Sequence, residues 1–392
     1  MKGTATMNTA ELDKEYIAGT YARFPLEIVS GEGSILTGSD GKKYTDLGSG
    51  IAVNTFGTAD RKWVSAVTEQ LFKFSHTSNL FYSAPCAKLA EQLCKRTGMK
   101  KVFFSNSGAE ANECAVKAAR AYAEKTKGSG HHTVITLKNS FHGRTLTTLA
   151  ATGQDIFHKS FLPLTPGFVY AEANNIDSVR EAAENVRCAA IMFEVIQGEG
   201  GVMPLTQEFC DELKQLASEK NLLLIADEVQ CGNGRTGKLY GYMNFGINPD
   251  IVTTAKGLAG GLPIGATMLG EKLSDIFSPG DNGSTFGGNA AACAGALNVL
   301  ERIDDNLLGG VKKRSELIFS MLEGKPGIKS VSGMGLMIGI ETEKDAGEVL
   351  ALCRERGVIA LRAKNKIRLL PPLNIPENLL REAIKVIIEV CA

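Results

Sequence analysis

An α/β fold, with a large domain on a mostly parallel central sheet and a smaller α+β domain beside it, is predicted by three features of the 392-residue sequence. Short apolar runs alternate with amphipathic stretches, glycine-rich pieces close many of the runs, and the length exceeds what one core usually fills. The strand-like runs are KVFF (101–104), TVITL (133–137), AAIMFEVI (189–196), LLLIAD (222–227) and DIVTTA (250–255). Helical periodicity marks AEANECAVKAARAYAEK and EFCDELKQLASEK between them. A covered parallel sheet of this kind binds ligands at the carboxyl ends of its strands, where SGAEAN, QGEGG, GNGRTG, KGLAGG and TFGGN fall. Chemistry is expected in those loops. From about residue 305 the pattern runs on without them until IRLLPPL (367–373). The expected division is therefore a large cofactor-binding domain at 51–304 and a small C-terminal domain at 305–392. Residues 1–50, with GEGSILTGSDGKKYTDLGSG reading as a hairpin, should pack with the small domain.

Composition narrows the function. Lys plus Arg and Asp plus Glu both number 43, and no basic run stands out, which argues against a nucleic-acid or anionic-membrane surface. Nine cysteines without a CxxC pair fit reduced thiols better than a disulfide or zinc framework, so no metal is expected. The aliphatic runs are too short to cross a bilayer, and MKGTATMNTAELDKEYIAG offers no apolar targeting segment. A cytoplasmic protein acting on small molecules is the expectation.

LLLIADEVQCG places Asp227 and Glu228 after five apolar residues, and carboxylates buried at a strand end need partners. A nucleotide-hydrolysing site would require GxxxxGK[ST], but the GK pairs at Gly41, Gly237 and Gly324 are followed by Lys, Leu and Pro. GNGRTG (232–237) matches the dinucleotide fingerprint GxGxxG, yet KLYGYMNFGINPD after it is turn-rich where a helix is required. DIVTTAKGLAGG sets Lys256 at the end of an apolar strand, where it is either a desolvated amine suited to Schiff-base chemistry or a lysine reaching to solvent. FFSNSGAEANE leads from a strand into a helix through Ser105, Asn106, Ser107 and Gly108, a phosphate cradle, a capping box of Ser107 with Glu110, or both. A phosphate cradle, a Schiff-base lysine and a buried Asp together are the set that pyridoxal phosphate needs. In NSFHGRT, Phe141 and His142 are placed to stack on a flat ring and Arg144 to hold a carboxylate, against the plainer reading of a core Phe and a surface Arg. FEVIQGEGG sets Glu194 and Glu199 at another strand end, and IRLLPPL sets Arg368 before a rigid Pro pair.

These segments, with TYARFP, GIAVN, HTSNLFY, GSTFGGNAAACAGAL and the FHGRT…LAATGQ stretch, resemble the class III (ornithine-type) aminotransferases of the pyridoxal-phosphate fold type I superfamily over nearly the whole chain. Within that family they look most like the members that act on N-acetylornithine. The resemblance implies that Lys256 links the cofactor covalently and then moves protons, that Asp227 pairs with the pyridine nitrogen, and that Phe141 and Val229 sandwich the ring. It further implies Gln230 near the 3-hydroxyl and Ser107, Gly108 and Ala109 around the phosphate. A homodimer with shared sites is implied as well, Thr285 reaching the partner's phosphate and Ser284 its substrate. Arg144 would bind a substrate carboxylate, and Arg368, masked by Glu199 in one half-reaction, the α-carboxylate of glutamate or 2-oxoglutarate. Related pockets serve succinylornithine, N-succinyl-diaminopimelate, ornithine or γ-aminobutyrate by the same chemistry. A glutamate-semialdehyde aminomutase would not need the Glu199 and Arg368 pair, and a silent cofactor-binding protein would lack Lys256 or Asp227. Two departures stand out: Gly57-Thr58-Ala59-Asp60-Arg61 replaces a histidine-bearing turn, and Gly50 stands where ornithine aminotransferases carry Tyr, leaving room for an acyl group.

Overall fold

The computed structural model describes residues 7–392. Strands β1 (Ile28–Glu32), β2 (Ile35–Gly38) and β3 (Lys43–Asp46) form an antiparallel meander, so the expected hairpin carries one strand more. The central sheet takes β4 (Lys101–Ser105), β5 (Thr133–Leu137), β6 (Phe168–Ala171) and β7 (Cys188–Phe193). After the short pair β8 (Ile196–Gln197) and β9 (Met203–Pro204), it adds β10 (Leu223–Asp227), β11 (Ile251–Thr254) and β12 (Gly265–Leu269). Its order is β4-β12-β11-β10-β7-β5-β6, and β12 alone runs against its neighbours. Every residue of β5, β7, β10 and β11 is buried, which is why these strands read as unbroken apolar runs.

Helices cover this sheet. Gly108–Lys127 buries Ala111, Ala115, Ala118, Ala119 and Ala123, small side chains that let it lie close to the strands. Ser107 caps its start, and Gly128, at φ 83°, follows its last residue. Gln207–Glu219 turns Phe209, Leu213 and Leu216 inward at helical spacing.

A second hydrophobic cluster lies under the C-terminal elements. The helix Asp305–Leu322 leads into β13 (Ile328–Met334) and β14 (Met337–Thr342), and Ala346–Glu355 into β15 (Val358–Ile359), β16 (Leu361–Ala363) and β17 (Lys366–Leu369). The sheet β13-β14-β17-β16 packs with the closing helix Glu377–Cys391, which buries Leu380, Ala383, Ile384 and Ile387. Strand β15 instead joins β3 in parallel, and Leu47 belongs to the same cluster, so the N-terminal meander rests on these elements. Arg235, buried in the GNGRTG loop, donates from Nη1 to the carbonyl oxygens of Leu336 (3.2 Å) and Pro371. That loop is a structural tie, and only a turn of 3-10 helix at Gly241–Asn244 follows it, as the rejection of a dinucleotide site requires. No helix among the described residues is long and apolar enough to cross a membrane, and all nine cysteines are unpaired.

Between β3 and the first long helix the chain makes a left-handed turn. Ser49, Gly50, Ile51 and Ala52 have φ of 42°, 65°, 65° and 60° in succession. Such geometry costs an L-residue about 1–2 kcal/mol, and most for a β-branched one. The turn is held from outside itself: Asp46 Oδ1 accepts the N–H groups of Gly48 and Ser49, both at 2.8 Å, and Ser49 Oγ donates to the Leu370 carbonyl. Ile51 is 42 % exposed, so its side chain returns little burial for the strain. Ile51→Gly should therefore raise the unfolding free energy by roughly 0.5–1 kcal/mol after the entropy cost of glycine, read from chemical denaturation midpoints. A lower midpoint would mean that the Ile51 side chain contributes more than its backbone costs.

Candidate active site

Asp227 ends β10, and its carboxylate is 3 % exposed with no Lys or Arg against it among the described residues. Three donors take the place of a cation. Val229 N–H reaches Oδ1 at 3.0 Å, while Asn112 Nδ2 and His142 Nδ1 meet Oδ2 at 2.8 and 2.7 Å. Asn112 also donates to the His142 carbonyl at 2.8 Å, so helix, loop and strand end are fixed together. His142, expected with Phe141 to stack on a flat ring, lines the cavity and has this further contact: a buried carboxylate without a cation needs donors, and the imidazole supplies one. Its Nε2 is buried with no partner. Glu228 diverges from Asp227, accepting Gly241 and Tyr242 N–H groups at 2.7 Å each, and burial pushes its pKa to about 8.

Lys256 directly follows the alanine that ends the β11 run, with its backbone at φ 41°. That is a strained conformation for a non-glycine residue. Its amine pairs with no carboxylate among the described residues, and desolvation lowers its pKa despite the opposing charge of Glu199. Across the cavity, the helix that begins at Gly108 has Ser107 Oγ accepting Glu110 N–H at 3.2 Å and donating to Glu110 Oε2 at 3.0 Å; the expected capping box is only half made, because Glu110 reaches back to the Asn106 N–H at 3.0 Å in place of that of Ser107. The Gly108 and Ala109 N–H groups, at the first turn, face no intrahelical carbonyl. A Cβ on Gly108 would lie 2.6 Å from Val229 Cγ1, so glycine alone lets this helix end meet the end of β10.

A cavity of about 410 Å³ brings together Ser107, Gly108, Ala109, Phe141, Arg144, Asp227, Val229, Gln230 and Lys256. Arg144 has its guanidinium 4.0 Å above the Phe157 ring and 5.3 Å from that of Phe141, with no carboxylate partner among the described residues. Beside the cavity, Arg368 is 3 % exposed and donates from Nη1 to Glu199 and, at 3.0 Å, to Gln230 Oε1. Gln230 Nε2 closes the ring onto Glu199 at 3.3 Å, and Arg368 Nε stays buried and unpartnered. Burial would raise the Glu199 pKa, but the charge and hydrogen bond of Arg368 bring it below the ordinary carboxylate value.

Ser284 and Thr285 are not among the residues lining the cavity of their own chain. Ser284 Oγ accepts Asn106 Nδ2 at 3.2 Å, and Thr285 is exposed. The sequence reading passed over Asn112, Phe157 and the segment Leu262–Ile264, and it gave Glu194 no role; of these, only Phe157 is absent from the cavity lining. Asn112 carried a usable signal, an amide on the alanine face of its helix one turn beyond Gly108. Phe157 carried none, because its 3-10 turn reaches Arg144 only through the tertiary fold.

The model of the family "Aminotransferase class-III" matches residues 16–391. An acetylornithine aminotransferase of Haemophilus ducreyi is 48% identical over 383 residues, which are 97% of this chain and 97% of that protein. The chain is a class-III aminotransferase. Members of this family use pyridoxal phosphate. The acetylornithine aminotransferase of Methanocaldococcus jannaschii is 42% identical over 95% of this chain and 94% of its own length. Among solved structures, the ornithine aminotransferase of Toxoplasma gondii superposes with a TM-score of 0.93 at 30% identity, covering 97% of this chain and 93% of that one. The N-acetylornithine aminotransferase of Stenotrophomonas maltophilia gives 0.83 at 33% identity, covering 97% of each chain. The type I fold expected from the sequence is therefore that of the family.

The close approach of Gly108 to Val229 yields a test. Gly108→Ala should weaken pyridoxal-phosphate binding at least about tenfold, because the added methyl must displace one wall of the cavity. Adding Val229→Ala should restore most of the loss, measured by equilibrium dialysis. An undiminished affinity in the single variant would show that the helix end yields freely.

Proposed function

We propose that this chain transfers the terminal amine of N2-acetylornithine to 2-oxoglutarate, giving N-acetylglutamate 5-semialdehyde and glutamate by a ping-pong exchange in arginine biosynthesis. The observation that carries the chemistry is the convergence on one cavity of an uncompensated buried carboxylate, a desolvated lysine and a free helix N-terminus. That lining suits pyridoxal phosphate end to end. The Gly108 and Ala109 N–H groups with Ser107 would hold the phosphate, Asp227 would face the ring nitrogen, and Phe141 and Val229 would cover the two ring faces. Gln230 would lie near the 3-hydroxyl and Lys256 would carry the covalent link. The acetylornithine substrate rests on the names of the relatives and on the missing side chain at Gly50, which lies next to the cavity-lining Val53 and where a Cβ would make ordinary contact, 3.6 Å from Asn54 and Val53.

When bound, pyridoxal phosphate supplies the electron sink that makes the amine-bearing carbon of the substrate acidic. Lys256 Nζ, once free of the covalent link, would take the proton from that carbon and pass it to the cofactor, and in the second half-reaction would place a proton on the carbon that becomes the amine-bearing one of glutamate; its lowered pKa favours the free-base form that this work needs. Arg144, stacked on Phe157 and free of a carboxylate, binds the substrate carboxylate. Arg368 stays covered by Glu199 while the first substrate is bound and turns to the α-carboxylate of glutamate or 2-oxoglutarate in the second half-reaction. Gln230, already bonded to both, keeps its contact with Arg368 as Glu199 withdraws.

The working unit is proposed to be a cytoplasmic homodimer with shared sites. Asn79 Nδ2 donates to the carbonyls of Ser284 and Gly287, both at 3.0 Å, which places Leu80, Phe81 and Tyr82 beside the exposed Phe286. An apolar patch of this kind on the surface of one chain supports burial against a second copy, which would bring Thr285 to the partner's phosphate and Ser284 to its substrate.

Adding N-acetylornithine alone to the purified protein should bleach the visible cofactor band within seconds, whereas free ornithine and γ-aminobutyrate should act far more slowly. Bleaching led by γ-aminobutyrate would overturn the substrate and keep the chemistry. Lys256→Ala should lose the band altogether. Gly50→Tyr should reduce turnover of N-acetylornithine about tenfold or more while leaving the glutamate half-reaction within about threefold, because only the acyl group needs the vacated space. Equal losses would remove that position from substrate choice.

A further inference from the structure

Glu194 is the buried ionisable group of the cavity that the proposed chemistry leaves without work. It directly follows β7, is 4 % exposed, and lines the cavity. Its Oε2 accepts the Phe141 N–H at 2.9 Å, and no Lys, Arg or His pairs with it among the described residues. The charged and titratable groups facing it are Asp227 at the end of β10, Lys256 after β11, Glu199 on the loop after β8, and the Cys231 thiol. Glu199 is already paired with Arg368. A charge on Glu194 would stand unpaired beside that of Asp227 in a dry pocket, the arrangement in which one of two carboxyls keeps its proton. Burial, and after it the charge of Asp227, holds the Glu194 carboxyl well above the usual carboxylate range, against the smaller pull of the Phe141 amide and Lys256.

We infer that Glu194 is a positioning residue acting as an uncharged carboxylic acid, fixing the Phe141 backbone so that its ring covers the cofactor while Asp227 remains the one negative charge facing the ring nitrogen. The inference rests on the cofactor assignment above. It gives the strand end FEVIQGEGG two separate duties: Glu199 covers an arginine, and Glu194 holds an aromatic wall in place without adding charge.

The test compares Glu194→Gln, which keeps a neutral acceptor, with Glu194→Ala, which removes it. Apo-protein is dialysed against pyridoxal phosphate from about pH 6 to about pH 9, and the visible band is titrated over the same range. Gln should bind within about twofold of the wild type with a superimposable pH profile. Ala should bind about tenfold more weakly, since the buried Phe141 N–H then has no acceptor. Equal weakening in Gln and Ala would overturn the neutral acid, and so would a wild-type inflection absent from Gln, which is decisive even if the Ala protein does not fold. Wild-type affinity in Ala would overturn the positioning role. A wild-type protein that takes up no pyridoxal phosphate would instead overturn the cofactor assignment itself.

Discussion

The architecture around the cavity follows from burying Asp227 without a cation. An uncompensated carboxylate inside a protein is costly, and its cost falls only as hydrogen-bond donors converge on it. Here the donors come from three places in the sequence: Asn112 on a helix, His142 on a loop, and the N–H of Val229 just past the same strand. To deliver Asn112, the helix Gly108–Lys127 must lie against the sheet, which its alanine face permits and the absent side chain of Gly108 completes. To deliver His142, the loop after β5 must turn back over the sheet, and that same turn presents Phe141 and Arg144 to the cavity. One unfavourable group thus organises several favourable ones.

Charge is then distributed so that each acidic residue has a different fate. Glu228 satisfies two backbone amides away from the cavity, and Glu199 is held ionised by Arg368. Glu194 sits where burial and the charge of Asp227 disfavour its ionisation, and Lys256 has no carboxylate in contact among the described residues. An electron-withdrawing ring placed among them would meet negative charge at one end and backbone N–H groups at the other, which is the polarity that pyridoxal phosphate requires.

Much of this was legible in the sequence because strand ends and glycines leave local marks. The runs ending in Asp227 and Lys256, and the SNSGAE turn into a helix, each carry their meaning within a few residues, and each of the five apolar runs holds a strand of the central sheet, although the run 189–196 breaks after Phe193 and its Ile196 joins a separate pair. Strand β12 was missed because GATML follows directly on a glycine-rich loop, and its antiparallel direction has no local signature. The contact of His142 with Asp227 had no local mark, because nothing in the NSFHGRT stretch shows which carboxylate will face it. The platform of Phe157 under Arg144, and the link of Gln230 between Glu199 and Arg368, depend on distances that only the tertiary fold sets.

The ties between the two ends of the chain bear on the order in which the molecule can be completed during synthesis. Leu370 donates its N–H to the Leu47 carbonyl at 2.7 Å, Ser49 reaches the Leu370 carbonyl, and Arg235 waits on the carbonyls of Leu336 and Pro371. The left-handed turn near the amino terminus has its local bonds to Asp46 as soon as it is made, but its ties to Leu370 wait until that residue has been added. Chains normally secure their early segments first; in this one the burial of Leu47, in the cluster built by the C-terminal elements, waits for the last strand.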